Sequence, residues 1–118
     1  MTYVDGYIAP VKAGVSADEY REFAAKVAPI FREFGATRVV ECWGDDVPTG
    51  KVTDFYRAVA AQEGETVIFS WIEWPDKATR DAGMAKVMAD ARMQSDQTPM
   101  LWDGKRLVFG GFRSILDA

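Results

Sequence analysis

The stretch Glu65-Thr66-Val67-Ile68-Phe69-Ser70-Trp71-Ile72-Glu73-Trp74 is the feature that most constrains this chain. It is rich in β-branched and aromatic residues, and Pro75 ends it, so it reads as a strand. Successive side chains of a strand point to opposite faces of the sheet. One set here is Val67, Phe69, Trp71 and Glu73; the other is Ile68, Ser70, Ile72 and Trp74. Both sets carry large apolar groups. Such a strand needs cover on both sides, and the rest of the sequence decides how much cover exists.

Two helices are legible. Ser16 followed by Glu19 is the pattern of a capping box, and Tyr20, Phe23, Ala24, Val27, Ile30, Phe31 and Phe34 then recur at helical spacing. Pro29 inside this pattern predicts a kink, and Gly35 suits the residue just past the helix end. Asp76 caps the second helix, with Ala78, Ala82, Ala85, Val87 and Met88 near its inner side and Lys77 and Arg80 on a solvated face. Further strands read over Tyr3 to Val11, Ala36 to Gly44 and about Arg106 to Phe112. Residues 45–53 and 92–101 read as loops, and Asp103-Gly104 as a tight turn. Residues 54–61 fit either a short helix or an extended arm, and the arm is preferred. The order β-α-β, β-α-β predicts an α+β, ferredoxin-like split βαβ sandwich: one antiparallel sheet with both helices on one face, a single domain over residues 1–118.

One pair of helices covers one face only. The uncovered face is expected to carry Tyr3, Asp5 and Tyr7 from the first strand, Val39, Glu41 and Trp43 from the second, and Phe69, Trp71 and Glu73 from the third. Cys42 is expected on the helix-packed side. A bare apolar face of several hundred Å² is more than soluble monomers usually show. Hiding about 500 Å² per chain is worth roughly 10 kcal/mol before association costs. A second copy of the same sheet supplies the simplest cover, which predicts a homodimer in the form of a dimeric α+β barrel.

The segments Glu41-Cys42-Trp43-Gly44-Asp45-Asp46-Val47-Pro48, Gly50-Lys51-Val52-Thr53-Asp54-Phe55 and Val67-Ile68-Phe69-Ser70-Trp71-Ile72-Glu73-Trp74-Pro75 carry a resemblance. With Lys77, Arg80-Asp81, Asp103-Gly104-Lys105-Arg106 and Gly110-Gly111-Phe112, they make the chain similar to a bacterial YbaA-like family of unknown function. That resemblance implies the dimeric α+β barrel superfamily and no established activity. The superfamily includes cofactor-independent oxygenases, haem-handling enzymes, small isomerases and dehalogenase-like proteins; this is an analogy of fold.

The 118 residues contain no histidine, so histidine-ligated haem, His-based zinc, Ser-His-Asp and Cys-His chemistry are excluded within one chain. A formal net charge of −4 disfavours nucleic acid as a partner. No apolar run approaches the roughly 20 residues that cross a bilayer, so no membrane partner is expected. The single cysteine, Cys42, and an N-terminus without signal-peptide character predict a cytoplasmic protein.

Candidate chemistry centres on carboxylates among aromatic rings. Burial there raises a carboxyl pKa and suits it to acid–base work. Glu41, Glu73 and Tyr7 are the candidate catalytic residues, and Asp5, Trp43, Phe69 and Trp71 the candidate ligand-binding residues for a small organic molecule. Cofactor-independent proton transfer or oxygenation is the reaction class, with no cofactor and no metal. The alternative pairs these carboxylates with Arg38, Arg57 or Arg106 in a non-catalytic dimer with a filled barrel. Asp45, Asp46 and Asp54 do not have the spacing of an EF-hand loop and fit turn and capping roles better than a Mg²⁺ or Ca²⁺ site.

Overall fold

The structure is a computed structural model that describes residues 2–94 and 99–118. The elements follow in the order β1 (Tyr3–Val11), α1 (Ala17–Glu33), β2 (Arg38–Trp43), α2 (Phe55–Ala58), β3 (Thr66–Trp74), α3 (Lys77–Ala89), a 3-10 turn (Ala91–Met93) and β4 (Val108–Arg113). The four strands form one sheet in the order β2-β3-β1-β4, with every neighbouring pair antiparallel. This is the ferredoxin-like arrangement. Part of the expected loop over 92–101, residues 95–98, lies outside the described residues.

Local chemistry sets the ends of the elements. The Ser16 hydroxyl accepts from the Glu19 amide at 3.1 Å and the Glu19 carboxylate accepts from the Ser16 amide at 3.1 Å, closing the capping box. At the other end of α1, the Gly35 amide bonds the Arg32 carbonyl and the Ala36 amide bonds the Phe31 carbonyl, with Gly35 at φ 117°. That is a Schellman cap, open to glycine because the left-handed conformation carries no Cβ penalty. Pro29 is exposed and the helix runs through it without ending. Residues 55–58 form a short helix rather than the preferred extended arm: the Asp54 carboxylate caps it by accepting from the Arg57 amide at 2.8 Å. The Asp103-Gly104 turn is closed by the Arg106 amide on the Asp103 carbonyl at 3.1 Å.

The helix-side core falls into two clusters. One joins Ile30, Phe31 and Val87 of the helices to Ile72 and Trp74 of β3. The other joins Tyr20 and Ala24 of α1 to Ala9, Val11 and Ile68. Trp74 is fully buried, and Gly83 in α3 lets the helix approach it. A Cβ at Gly83 would collide with the Trp74 ring and with the Phe34 carbonyl oxygen. Gly83→Ala is therefore expected to destabilise the fold by about 1–3 kcal/mol despite alanine's better helix propensity. Urea denaturation checks this, and a stability equal to or above that of the parent would refute the close-approach role.

Candidate functional site

Pairing across the sheet decides which side chains share a face. Tyr3 lies opposite Trp74, Asp5 opposite Ile72 and Tyr7 opposite Ser70, so the odd residues of β1 join the even residues of β3. Val39 lies opposite Ile72, Glu41 opposite Ser70 and Trp43 opposite Ile68. Tyr3, Asp5, Tyr7, Val39, Glu41 and Trp43 are thus on the helix-covered face, not on the open face where the sequence reading put them. Phe69, Trp71 and Glu73 do lie on the open face, and Cys42, opposite Phe69, lies there too rather than against the helices. The expected constellation of seven residues is split between two sides of one sheet.

The three candidate carboxylates have different surroundings. Asp5 is buried; it accepts from the Trp74 indole at 2.9 Å and from Arg80 Nη2 at 2.7 Å. Arg80 also reaches Asp81 at 2.9 Å, and its guanidinium lies 5.0 Å from the centre of the Tyr3 ring. These bonds hold the Arg80 pKa above its usual value, with the Asp5 hydrogen bond the main cause. Arg80 is therefore not part of a solvated face; it is the counter-charge of the sheet's most buried carboxylate. Glu73 accepts from the Trp71 indole at 2.9 Å and pairs with Arg38 at 3.5 Å. Arg57 and Arg106 serve other acids, Asp54 and Glu65.

Glu41 differs. It accepts a hydrogen bond from the buried Tyr20 hydroxyl at 2.8 Å, and among the described residues no cation faces it. Glu41 is an exposed residue of edge strand β2, yet desolvation of its carboxyl raises the pKa, outweighing the lowering effect of the Tyr20 bond. Burial also raises the Tyr20 pKa, reinforced by the Glu41 charge. Burial raises Tyr7 likewise, with the Asp5 charge the next cause.

Glu41, Ser70 and Tyr7 stand side by side on β2, β3 and β1, one strand spacing of about 4.8 Å apart. Ser70 is 5% exposed. This polar row lies between the two apolar clusters, with Ile72 and Val39 on one side and Ile68 and Trp43 on the other. Trp43 stacks at a tilt on Tyr20 with 5.9 Å between ring centres, and Tyr7 stacks on Phe109 at 6.4 Å. The helix-side core therefore has a polar waist holding a carboxyl, two phenols and a hydroxyl between aromatic walls. Sequence reading missed Ser70 and Tyr20. The signal for Ser70 was present, as the one polar residue among Ile68, Ile72 and Trp74.

On the open face, a groove of about 600 Å³ runs between Val4, Ile8, Phe69, Trp71, Val108 and Phe112, with Gly6 opposite Gly110 forming its floor. Its lining is almost wholly apolar. Phe112, opposite Val4, is 63% exposed there. Phe55 reaches over from α2 and meets Phe69 edge to face at 6.0 Å. Arg57 fixes that loop by donating to the main-chain carbonyls of Gly50, Lys51 and Val52. Asp54 is engaged as the α2 cap and as the partner of Arg57. Among the described residues, no three acidic or thiol side chains are grouped to hold a metal ion.

Residues 2–104 match the model of a protein family described as a protein of unknown function, DUF1428. The chain belongs to that family. It is 57% identical over 117 residues, 99% of each chain, to the uncharacterized protein YbaA of Escherichia coli K12. Among solved structures it is similar to a dimeric ferredoxin-like protein from an uncultured marine organism, with TM-score 0.65, 9% identity and 99% and 98% of the two chains covered. It is also similar to SnoaB, a cofactor-independent oxygenase from Streptomyces nogalater, with TM-score 0.59, 13% identity and 98% and 95% covered. Both likenesses are of fold. None of the described helices is long and apolar enough to cross a membrane.

Breaking the Asp5–Arg80 pair tests its structural part. Arg80→Ala leaves a buried carboxylate without its cation and is expected to cost about 3–5 kcal/mol. Asp5→Asn keeps an acceptor for Trp74 and leaves a partly solvated Arg80 still bonded to Asp81, so it should cost less. Denaturant titration of the two variants checks the order, and equal small losses would show the pair to be a surface feature.

Proposed function

We propose that this chain is a cytoplasmic homodimer whose open sheet face is closed by a second copy. We further propose that its polar waist binds a small, neutral, partly aromatic molecule and moves a proton through Glu41. The observation that carries the second part is the difference between the three carboxylates. Asp5 and Glu73 each have an arginine, whereas Glu41 has a phenol alone. A carboxyl whose pKa is raised and whose charge is not already neutralised is the best proton acceptor of the three. The missing cation also argues against an anionic ligand. In this reading Tyr7 and Ser70 orient a polar atom of the ligand, with Trp43 as an aromatic wall. Phe69 and Trp71, on the other face, belong to the dimer interior in this reading, and Glu73 to its rim. SnoaB supports the reaction class to the extent that the same fold carries chemistry without a cofactor.

Closure by a second copy rests on the apolar groove and its exposed rings, and the dimeric marine protein of the same fold supports it. Sedimentation at micromolar protein should give twice the 13.1 kDa chain mass. A single-chain mass would remove this part of the reading.

Glu41→Gln tests the site. The raised pKa means that the folded state binds a proton more readily than the unfolded chain, so ionised Glu41 weakens the fold as pH rises through its folded pKa. The glutamine variant should therefore melt at or slightly above the parent at pH 7, and the difference should vanish below the ordinary glutamate pKa. Turnover or binding should fall in the same variant, and parent activity should fall as acid protonates Glu41. A panel of small neutral aromatic alcohols and ketones at millimolar levels, followed by Trp emission and melting temperature, supplies the ligand readout. If no member shifts either signal in the parent, the waist is a structural feature of a non-catalytic dimer.

A further inference from the structure

We propose that the interface between two copies extends past the sheet face, and that the segment 114–118, through Ile115 and Leu116, carries it across the seam onto the second copy. This rests on the homodimer reading above and adds to it the segment that fastens the two sheets. Ile115 and Leu116 are adjacent, large and apolar, and they are 82% and 81% exposed. They are not a stray end folded beneath the helices. The Ser114 amide bonds the Thr2 carbonyl at 3.1 Å, so the chain leaves β4 along the sheet and carries both side chains out beyond it.

The area of the face points the same way. Four strands about 4.8 Å apart, two of nine residues and two of six at about 3.3 Å each, outline roughly 475 Å². A stable interface takes about 800 Å² of accessible surface from each partner, and apolar groups beside the groove would add to what this footprint supplies. Ile115 and Leu116 are the exposed adjacent pair that leads away from its edge.

Topology supplies the direction. The antiparallel pairings make β1 and β2 run one way and β3 and β4 the other. Two such sheets, stacked face to face about an axis along the strands, set β4 of one copy beside β2 of the other. These two strands are antiparallel edges with free main-chain groups. The segment 114–118 follows directly on β4, its first residue still bonded to Thr2, and starts beside the entry to the second copy's β2. Arg38 stands there with a largely exposed side chain, opposite in charge to Asp117 of the arriving segment.

The experiment compares the parent with the double variant Ile115→Asp, Leu116→Asp by sedimentation equilibrium across nanomolar to micromolar concentrations. Both side chains are exposed within one copy, so the fold should persist, and far-UV circular dichroism checks that it does. The dimer dissociation constant is expected to rise about 100-fold, or ~2.8 kcal/mol at 1.4 kcal/mol per tenfold. Hydrogen exchange of the amides of 115–117 should be slow in the parent dimer and fast after dilution to single chains. A dimeric parent with an unchanged constant in the variant, or with those amides unprotected, overturns this proposal and leaves the dimer standing. A parent that stays a single chain at every concentration overturns both.

Discussion

The register between β1 and β3 is the constraint on which the rest of the molecule depends. Tyr3 opposite Trp74 brings the Asp5 carboxylate to the Trp74 indole and, from α3, the Arg80 guanidinium to Asp5. The same register puts Tyr7 beside Ser70, and through β2 beside Glu41. A slip of one residue would turn every β1 side chain over. Asp5 would then lie on the open face, Arg80 would lose its partner, and the polar row would dissolve. The Asp5 charge meets Arg80 in this register and would be separated from it in the slipped one.

The two faces of the sheet divide the chemistry. The helix side carries the paired Asp5, the phenols of Tyr7 and Tyr20, and the phenol-bonded Glu41 at the exposed edge. The open side contains apolar surface with one rim pair, Glu73 and Arg38. Cover by a like sheet suits a surface that is apolar, grooved over Gly6 and Gly110 at its centre. A proton-handling site suits the other side, where α1 brings Tyr20 onto a carboxyl that water reaches from the edge.

Much of this was legible in the residues. The capping box at Ser16, the cap at Gly35, the strand ended by Pro75 and the two-helix, four-strand order all act through contacts a few residues apart. The family resemblance was legible too. The faces of β1 and β2 were not. Within a strand the alternation is plain, but which set of β1 joins which set of β3 depends on pairing partners some sixty residues apart, and no local signal sets it. The error moved Asp5, Tyr7, Glu41 and Trp43 to the wrong side together while leaving Phe69, Trp71 and Glu73 in place. The inference of an uncovered apolar face survived because other residues, Val4, Ile8, Val108 and Phe112, supply it. Arg80 was misread for a related reason: its position in the first turn of α3 says nothing of what lies beneath. Four residues, Phe55 to Ala58, gave too short a period to separate a helical turn from an extended arm.

The loop ahead of α2 owes its shape to a single guanidinium bound to three main-chain oxygens. Carbonyl groups are common to all residues, so the side chains at positions 51 and 52 are free to drift in evolution without disturbing the path of the backbone. Position 57 has no such latitude. The tip that overhangs the groove can thus be re-lettered to suit whatever it touches, while the hand that holds it stays the same.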